Sequence, residues 1–178
     1  MTHLPQTATI RKTASLVATA ALALSVLSLP AEAGKPKGAK NADPKGVIKF
    51  YAGYTTEWSN GWAYWAPNGQ LRIFWPNQDK SYTKNAVAIG TWSVNSKGTQ
   101  CYQADWHARK KGSQTTEVFE AKKRCRDHVV DKEGVVWAKD RDSDGDWWKL
   151  EHERKKMKKG ETKKSAFRAL AKKFGVAY

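Results

Sequence analysis

The segment that decides the fold is WAYWAPNGQLRIFW, residues 62–75. Its Asn-Gly step separates two runs rich in aromatic and aliphatic residues, which is typical of a β-hairpin with a two-residue turn. With that turn, the predicted cross-strand pairs are Ala66 with Leu71, Tyr64 with Ile73, and Trp62 with Trp75. Side chains alternate across a strand, so we expect these paired residues to share the core face.

The same register places Trp65, Arg72 and Phe74 together on the opposite face. A flat ring beside a guanidinium can stack on a sugar and hold a carboxylate or sulfate, so these residues form a candidate ligand-binding patch. Two alternatives remain open at this stage. The patch is a cation–π pair that only shields the sheet, or it is covered by a helix from the C-terminal tail.

Residues 47–152 are predicted to form a β domain, because short apolar alternations are separated there by turn residues. Roughly six to eight strands at this turn spacing predict a meander that forms a small antiparallel barrel or sandwich. A lipocalin-like barrel is one form of this fold. Residues 34–46 are rich in Lys, Gly and Pro and read as a flexible basic lead-in.

Residues 1–33 have the organisation of an export signal. Arg11 and Lys12 precede an apolar run at 14–29, and a small-residue cleavage site ends at Ala33. The run is short for a membrane span, so an uncleaved anchor is the weaker alternative. We therefore expect a periplasmic or extracellular protein.

The chain carries a formal net charge of +15 at pH 7. Such a balance favours anionic partners, here envelope polysaccharide or lipid headgroups, although charge can also serve solubility alone. The aromatic residues would also permit nucleic-acid binding, but export makes that partner unexpected.

Cys101 and Cys125 are the chain's two cysteines. In an exported protein an even pair indicates a disulfide, which would stabilise the fold by about 3–4 kcal/mol in the chain-entropy model. A two-thiol metal site and a redox pair are weaker alternatives because the spacing is not C-x-x-C and no zinc-ligand cluster accompanies it.

The segment 153–178 is a basic tail that ends in an amphipathic helix. Its apolar positions follow helical spacing, at Phe167, Leu170, Ala171 and Phe174. Ser165 or Thr162 is the candidate N-cap and Gly175 the C-cap. The helix either packs on the β domain or lies on an anionic membrane. The residues expected to contact an anionic surface are Lys163, Lys164, Arg168, Lys172 and Lys173.

Two further motifs carry weaker signals. The segment 140–151 fits a calcium-loop pattern through Asp140, Asp142, Asp144 and Glu151, but it follows a predicted strand rather than a helix, so a plain hairpin is favoured. Asp105 and His107 share one face of a strand, where a surface pair is favoured over an acid–base pair. We predict no cofactor and no catalytic residue.

Several motifs together resemble the family called domain of unknown function 995, whose members are small secreted proteins of alphaproteobacteria. They are FYAGYTTEWSNGWAYWAPNGQL, GTWSV, the two cysteines and DGDWW, within residues 48–152. The resemblance implies export, a compact β domain and a Cys101–Cys125 pair, but no activity. GTWSV is also similar to the G-x-W of lipocalin-like barrels, which would place Trp92 at one end of a barrel.

The sequence thus predicts a non-enzymatic exported binding protein that contacts an anionic polysaccharide or membrane surface. A polysaccharide-acting enzyme, which needs two close carboxylates in a cleft, is one alternative. A small-ligand carrier with a cavity is the other. The oligomeric state is not fixed by the sequence.

Overall fold

The computed structural model describes residues 34–76 and 79–177, so the predicted export signal at 1–33 lies outside the described residues. The described part contains strands and helices in the following chain order: β1 (Lys40–Asn41), α1 (Pro44–Tyr51), β2 (Tyr54–Glu57), β3 (Trp62–Trp65), β4 (Gln70–Pro76), β5 (Asn85–Val94), β6 (Gln100–Arg109), β7 (Thr116–Glu120), β8 (Arg124–Val130), β9 (Val136–Asp140), β10 (Trp148–Lys149), α2 (Glu151–Arg154), β11 (Met157–Lys159) and α3 (Lys164–Phe174).

The strands form one 11-stranded antiparallel sheet that curls into a half-barrel. Its main path runs β10-β9-β8-β6-β5-β4-β3-β2-β11, while β1 pairs with β8 and β7 pairs with β6. The two ends of this path, β10 and β11, are joined through α2 by a short stretch of chain. The predicted mainly β fold with a C-terminal helix is confirmed.

The register predicted for the aromatic hairpin is wrong by one residue. Trp65 pairs with Leu71, and Trp62 pairs with Phe74. The loop has three residues, because the amide of Gly69 donates to the carbonyl of Ala66, and Ala66 in turn donates to the carbonyl of Gln70. Pro67 has the fixed φ favoured at the second position of a type I turn, and Gly69 takes the left-handed conformation that follows, with φ +82°.

The inner core lies between the concave face of the sheet and α1. Val47 and Tyr51 of α1 are buried in it with Trp65 and Trp92, and the Tyr51 ring lies 5.4 Å from that of Trp65. The first residues of the predicted β domain are therefore helical. Asp43 caps α1 by accepting from the amides of the first turn, and Pro44 begins the helix.

The outer core lies between the convex face and α3. Phe167, Ala171 and Phe174 are buried against Trp62 and Val87, which confirms the interpretation that the tail helix packs on the β domain. Gly175 is the left-handed C-cap as predicted, but the N-cap is Lys163, with no side-chain cap hydrogen bond, in place of Ser165 or Thr162. Within residues 34–76 and 79–177, no helix is long and apolar enough to cross a membrane.

The basic run before α3 also belongs to the sheet. Met157–Lys159 forms β11, an edge strand that pairs with β2. The side chain of Thr55 anchors this segment, since it donates to the carbonyl of Gly160 at 2.7 Å and accepts from the amide of Thr162. The predicted boundary between the β domain and the tail at residue 153 therefore divides a continuous structural unit.

Cys101 and Cys125 form a disulfide between β6 and β8. The two residues are direct partners in the antiparallel register, with Cα atoms 4.1 Å apart. The expected pairing is confirmed. The bond fixes β8 against β6 beyond the point where β7 leaves this edge.

Candidate functional site

The concave face holds a cavity of about 590 Å³ that is left open where the half-barrel is not filled. Aromatic rings form much of its wall, and polar and cationic groups lie at one end. The lining residues are Trp58, Ala63, Trp65, Ile73, Trp75, Gln100, Tyr102, Ala104, Trp106, Ala121, Lys122, Arg124 and Arg126. We refer to it as the main cavity.

The aromatic wall is held in place by the strand pattern and by side-chain contacts. Trp65 is 4% exposed, donates its indole N–H to the Thr56 hydroxyl at 3.0 Å and packs edge-on against Tyr102. Trp58 packs edge-on against Trp75, with ring centroids 5.9 Å apart. Because these rings contact one another and Trp65 is hydrogen-bonded, neighbouring side chains fix the arrangement of the wall.

Gln100 supplies an unsatisfied donor at the polar end. Its side chain is buried, with 2% of the residue exposed, and its Nε2 has no hydrogen-bond partner among the described residues. The indole Nε1 of Trp148 is likewise buried and unpaired in this part of the chain. Trp148 stacks on Arg126, whose guanidinium carbon lies 5.0 Å from its ring centroid. Both unsatisfied groups are N–H donors, so only an acceptor can satisfy them.

Arg126 is a partly buried cation with several partners. It donates to Asp140 Oδ1 at 2.7 Å and to the Tyr51 hydroxyl at 3.2 Å, and it lies 3.9 Å from a Glu153 oxygen. Burial alone lowers its pKa, but the interactions with Tyr51, Asp140 and Glu153 raise the pKa above its ordinary value. Arg126 therefore remains charged and contributes positive potential to the cavity wall.

Lys122 and Arg124 lie at the mouth of the main cavity. Both are exposed, and neither makes an ion pair with any described residue. Arg124 pairs across the sheet with Tyr102, whose pKa is raised by burial and lowered in part by Arg124 and Arg126. The polar end thus combines two exposed cations with a partly buried one, and the cavity lining contains no Asp or Glu.

A hydrogen-bonded chain leads from Arg126 through Tyr51 and His128 to the loop between β5 and β6. The Tyr51 hydroxyl lies 3.1 Å from His128 Nε2, and His128 Nδ1 lies 3.0 Å from the Gly98 carbonyl. The carbonyl only accepts, so Nδ1 carries the proton and Nε2 accepts from Tyr51. Burial lowers the pKa of His128 to about 4 and raises that of Tyr51 to about 12, so both are neutral near pH 7.

The predicted ligand patch is divided between two faces. Trp65 points inward and lines the main cavity, while Arg72 and Phe74 lie on the outer face. Arg72 pairs with Glu161 at 3.3 Å, and Phe74 stacks on Trp62 beneath α3. The alternative in which the tail helix covers this face is therefore observed for Phe74, whereas Arg72 contacts Glu161 before α3 and lies 5.8 Å from the centroid of the Tyr64 ring.

The predicted surface cations lie on or next to α3. Lys164, Arg168, Lys172 and Lys173 are exposed, while Lys163 is half-buried and pairs with Glu57 at 3.5 Å. Because Phe167, Ala171 and Phe174 are buried on the sheet, the helix offers an anionic surface its charges but not its apolar face.

The calcium-like acids do not converge. Asp140 ends β9 and is held by Arg126, whereas Glu151 begins α2. No group of three or more His, Cys, Asp or Glu side chains suited to a metal occurs in the described ranges, so Asp142 and Asp144 are not part of such a group there. The pattern is a hairpin connection between β9 and β10.

Asp105 and His107 lie on the same side of β6, as predicted. They face away from the main cavity, because the inward positions of this strand are Ala104 and Trp106. Burial lowers the pKa of His107, and the charge of Asp105 partly offsets that shift. The pair therefore lies on the convex face of the sheet, away from the main cavity.

Sequence reasoning missed most of the cavity residues, although a signal was present. The inward positions of β6 and β8 alternate regularly with outward ones, and on β8 this places Arg124 and Arg126 on the same side as Gln100 and Tyr102. A cationic pair at alternate positions of a strand that also faces tryptophans is the pattern that predicts a charged cavity wall.

Comparison with known proteins places the chain in a family without assigning it an activity. Neither curated proteins nor solved structures give a significant match. A family model, however, matches residues 13–169, which covers most of the chain and includes the half-barrel, the disulfide and most of α3. The chain therefore belongs to the family described as protein of unknown function (DUF995).

Proposed function

We propose that this protein is a non-enzymatic exported binding protein whose main cavity takes a ligand with an anionic group beside a flat or apolar body. The observation that carries the proposal is the buried Nε2 of Gln100, a donor without a partner among the described residues, in a wall that also holds Arg126. An acceptor-rich anionic group would satisfy this donor, and Lys122 and Arg124 would add charge at the mouth.

The composition of the cavity favours binding over cleavage. Glycoside hydrolysis uses two carboxyl groups on either side of the bond that is broken. The main cavity is lined by cations, an amide and aromatic rings, and by no carboxylate. These groups hold and orient an anion but supply no general acid paired with a base.

Export is part of the proposal. A disulfide such as Cys101–Cys125 persists in oxidising compartments, outside the bacterial cytoplasm. Together with the predicted signal at 1–33, this supports a location in the periplasm or the medium. Its ligand would then be a component of the cell envelope or of the surroundings.

A second candidate function is attachment to an anionic polysaccharide or membrane surface through α3. The supporting observation is the exposure of Lys164, Lys172 and Lys173 on a helix whose apolar face is buried. Such attachment would be electrostatic, so it would weaken strongly as salt is raised. The two functions are compatible, because α3 and the main cavity occupy opposite faces of the sheet.

Binding of anilinonaphthalene sulfonate (ANS), an anionic aromatic probe, tests the main proposal. Removing one charge at the mouth with Arg124→Gln should weaken ANS binding by about fivefold, since a charged hydrogen bond contributes about 1 kcal/mol or more. Lys123→Gln is the matched control, because Lys123 is exposed, adjacent and outside the lining. Equal affinities for both variants and the parent protein would refute the proposed site.

A further inference from the structure

A second cavity of about 390 Å³ lies next to the main one on the concave face. The two cavities share Trp75 and Trp106 in their linings, so these rings stand between them. The remaining lining of the second cavity is mostly apolar. It consists of Pro76, Asp79, Tyr82, Ala86, Ala108 and Phe119.

The two cavities lie along β6, with polar groups at one end and apolar residues at the other. Inward residues of β6 line them in chain order, and these residues are Gln100, Tyr102, Ala104, Trp106 and Ala108. The eight steps of extended strand from Gln100 to Ala108 span about 26 Å. Small residues face them from β5, where Ala88 pairs with Trp106. The two cavities therefore lie end to end along the concave face and meet at Trp75 and Trp106, and we refer to them together as the trough.

The polar groups of the second cavity already have partners. Asp79 accepts from the amide and the hydroxyl of Ser81, and the Tyr82 hydroxyl donates to Glu117. What this end offers a ligand is apolar surface. Phe119, which lines it, is 42% exposed, and exposed aromatic surface in a concavity is typical of a binding site.

We propose that the trough binds a single-chain anionic amphiphile, that is, a long-chain carboxylate or an alkyl phosphate. This inference rests on the proposed function and adds the class of ligand. The head group accepts from Gln100 Nε2 and faces Arg124, and the chain runs past Trp75 and Trp106 to Phe119. Carboxylate and phosphate are both anionic acceptors, so the polar end suits either head.

An acidic sugar fits the main cavity but not the whole trough. Every ring of an oligosaccharide carries hydroxyl groups that need partners when they are buried. Beyond Trp75 and Trp106 the lining offers only Asp79 and Tyr82, which are engaged as described. Methylene groups need no such partners, and their burial is favourable along this surface.

A chain-length series tests the inference. Hexanoate, octanoate, decanoate and dodecanoate are titrated below their critical micelle concentrations, with tryptophan fluorescence as the readout, and dodecyl phosphate and galacturonate are run in parallel. Affinity should rise about tenfold for every two methylene groups. Phe119→Ala should weaken dodecanoate binding by about tenfold and leave hexanoate binding unchanged.

Val118→Ala is the matched control, since Val118 is the neighbouring exposed residue of β7 and does not line the trough. The relative affinities of dodecanoate and dodecyl phosphate identify the preferred head. If galacturonate and hexanoate bind as tightly as dodecanoate and Phe119→Ala changes nothing, the amphiphile inference is overturned while the anion site stands. If no anion binds, or Arg124→Gln leaves every affinity unchanged, the proposed function fails as well.

Discussion

On the outer face of the sheet, Trp62 is enclosed by Phe74 and Phe167, whereas on the inner face Trp75 and Trp106 border open space. One hairpin supplies rings to both faces. Within the described residues, α3 covers the outer rings, whereas α1 packs against Trp65 and Trp92 of the inner face and leaves Trp75 and Trp106 beside the cavities. An aromatic face on a small sheet therefore indicates a ligand only after the chain's own helices have been placed, and here that criterion selects the inner face.

The largest expected effect is on the free energy of unfolding, and it comes from removing the ring that packs α3 on the outer face of the sheet. Phe167 is 0% exposed, so Phe167→Ala should lower the free energy of unfolding by about 3–5 kcal/mol, measured by urea denaturation. Lys172→Ala, an exposed change on the same helix, should alter it by less than about 0.5 kcal/mol. A decrease of less than about 1 kcal/mol in the free energy of unfolding for Phe167→Ala would contradict the close packing of α3 on the sheet.

The next effect is a dependence of the free energy of unfolding on pH that comes from His128. The pKa of His128 is lowered by burial from 6.5 to about 4. Below pH 6.5 the unfolded chain binds this proton and the folded protein does not, so stability present above pH 6.5 is lost as pH falls toward 4, by about 3 kcal/mol in total. Denaturation at several pH values measures it.

Two variants check that assignment. His128→Gln should remove this part of the pH dependence, whereas His152→Gln, at an exposed residue of α2, should retain it. A parent protein whose unfolding free energy is constant from pH 7 to about 4.5 would contradict the burial of a neutral imidazole.

Trp106→Ala should affect ligand binding more than stability, in contrast to the large loss of stability expected for Phe167→Ala. The ring is half-buried and borders both cavities, so its removal should lower the free energy of unfolding by only about 1–2 kcal/mol. ANS binding should weaken by about tenfold, because the ring forms part of the wall. Titration of the folded variant measures the affinity, and parent-like ANS binding would place the ligand elsewhere.

The smallest effect on the cavity should come from the charges of α3. The double variant Lys172→Gln, Lys173→Gln should leave ANS affinity within about twofold of the parent, since exposed charges on the opposite face are screened by salt. Binding to vesicles that contain anionic lipid should weaken, by about 1 kcal/mol per charge removed near the surface. Lys35→Gln, Lys37→Gln is the matched control in the lead-in, and equal vesicle binding by both double variants would exclude α3 as the contact.

The fold class, the disulfide and the buried face of α3 could be predicted because each depends on local periodicity or on residue type. The register of the hairpin could not be read from Asn68-Gly69 alone. Pro67 converts the two-residue turn into a three-residue one, and a shift of one residue moves Trp65 to the other face of the sheet.

Two other elements, α1 and β11, were not predicted because lysines in or beside them made the segments look like solvated chain. Asp43-Pro44 is a helix start, but the surrounding lysines and glycine read as a linker. The strand Met157–Lys159 is mostly lysine and forms only because it completes the sheet beside β2. The cavity itself depends on the pairing of β6 with β8, which places Arg124 and Arg126 beside Tyr102 and Gln100 and is not contained in the pattern of a single strand.

The most direct test of the difference between the two faces is a two-dimensional amide NMR titration with ANS. The signals to follow are the indole N–H groups of Trp62, Trp75 and Trp106 and the side-chain amide of Gln100. We predict that the Trp75, Trp106 and Gln100 signals shift and saturate together while that of Trp62 stays in place. A shift of Trp62, or of backbone amides along α3, with unchanged cavity signals would contradict the account.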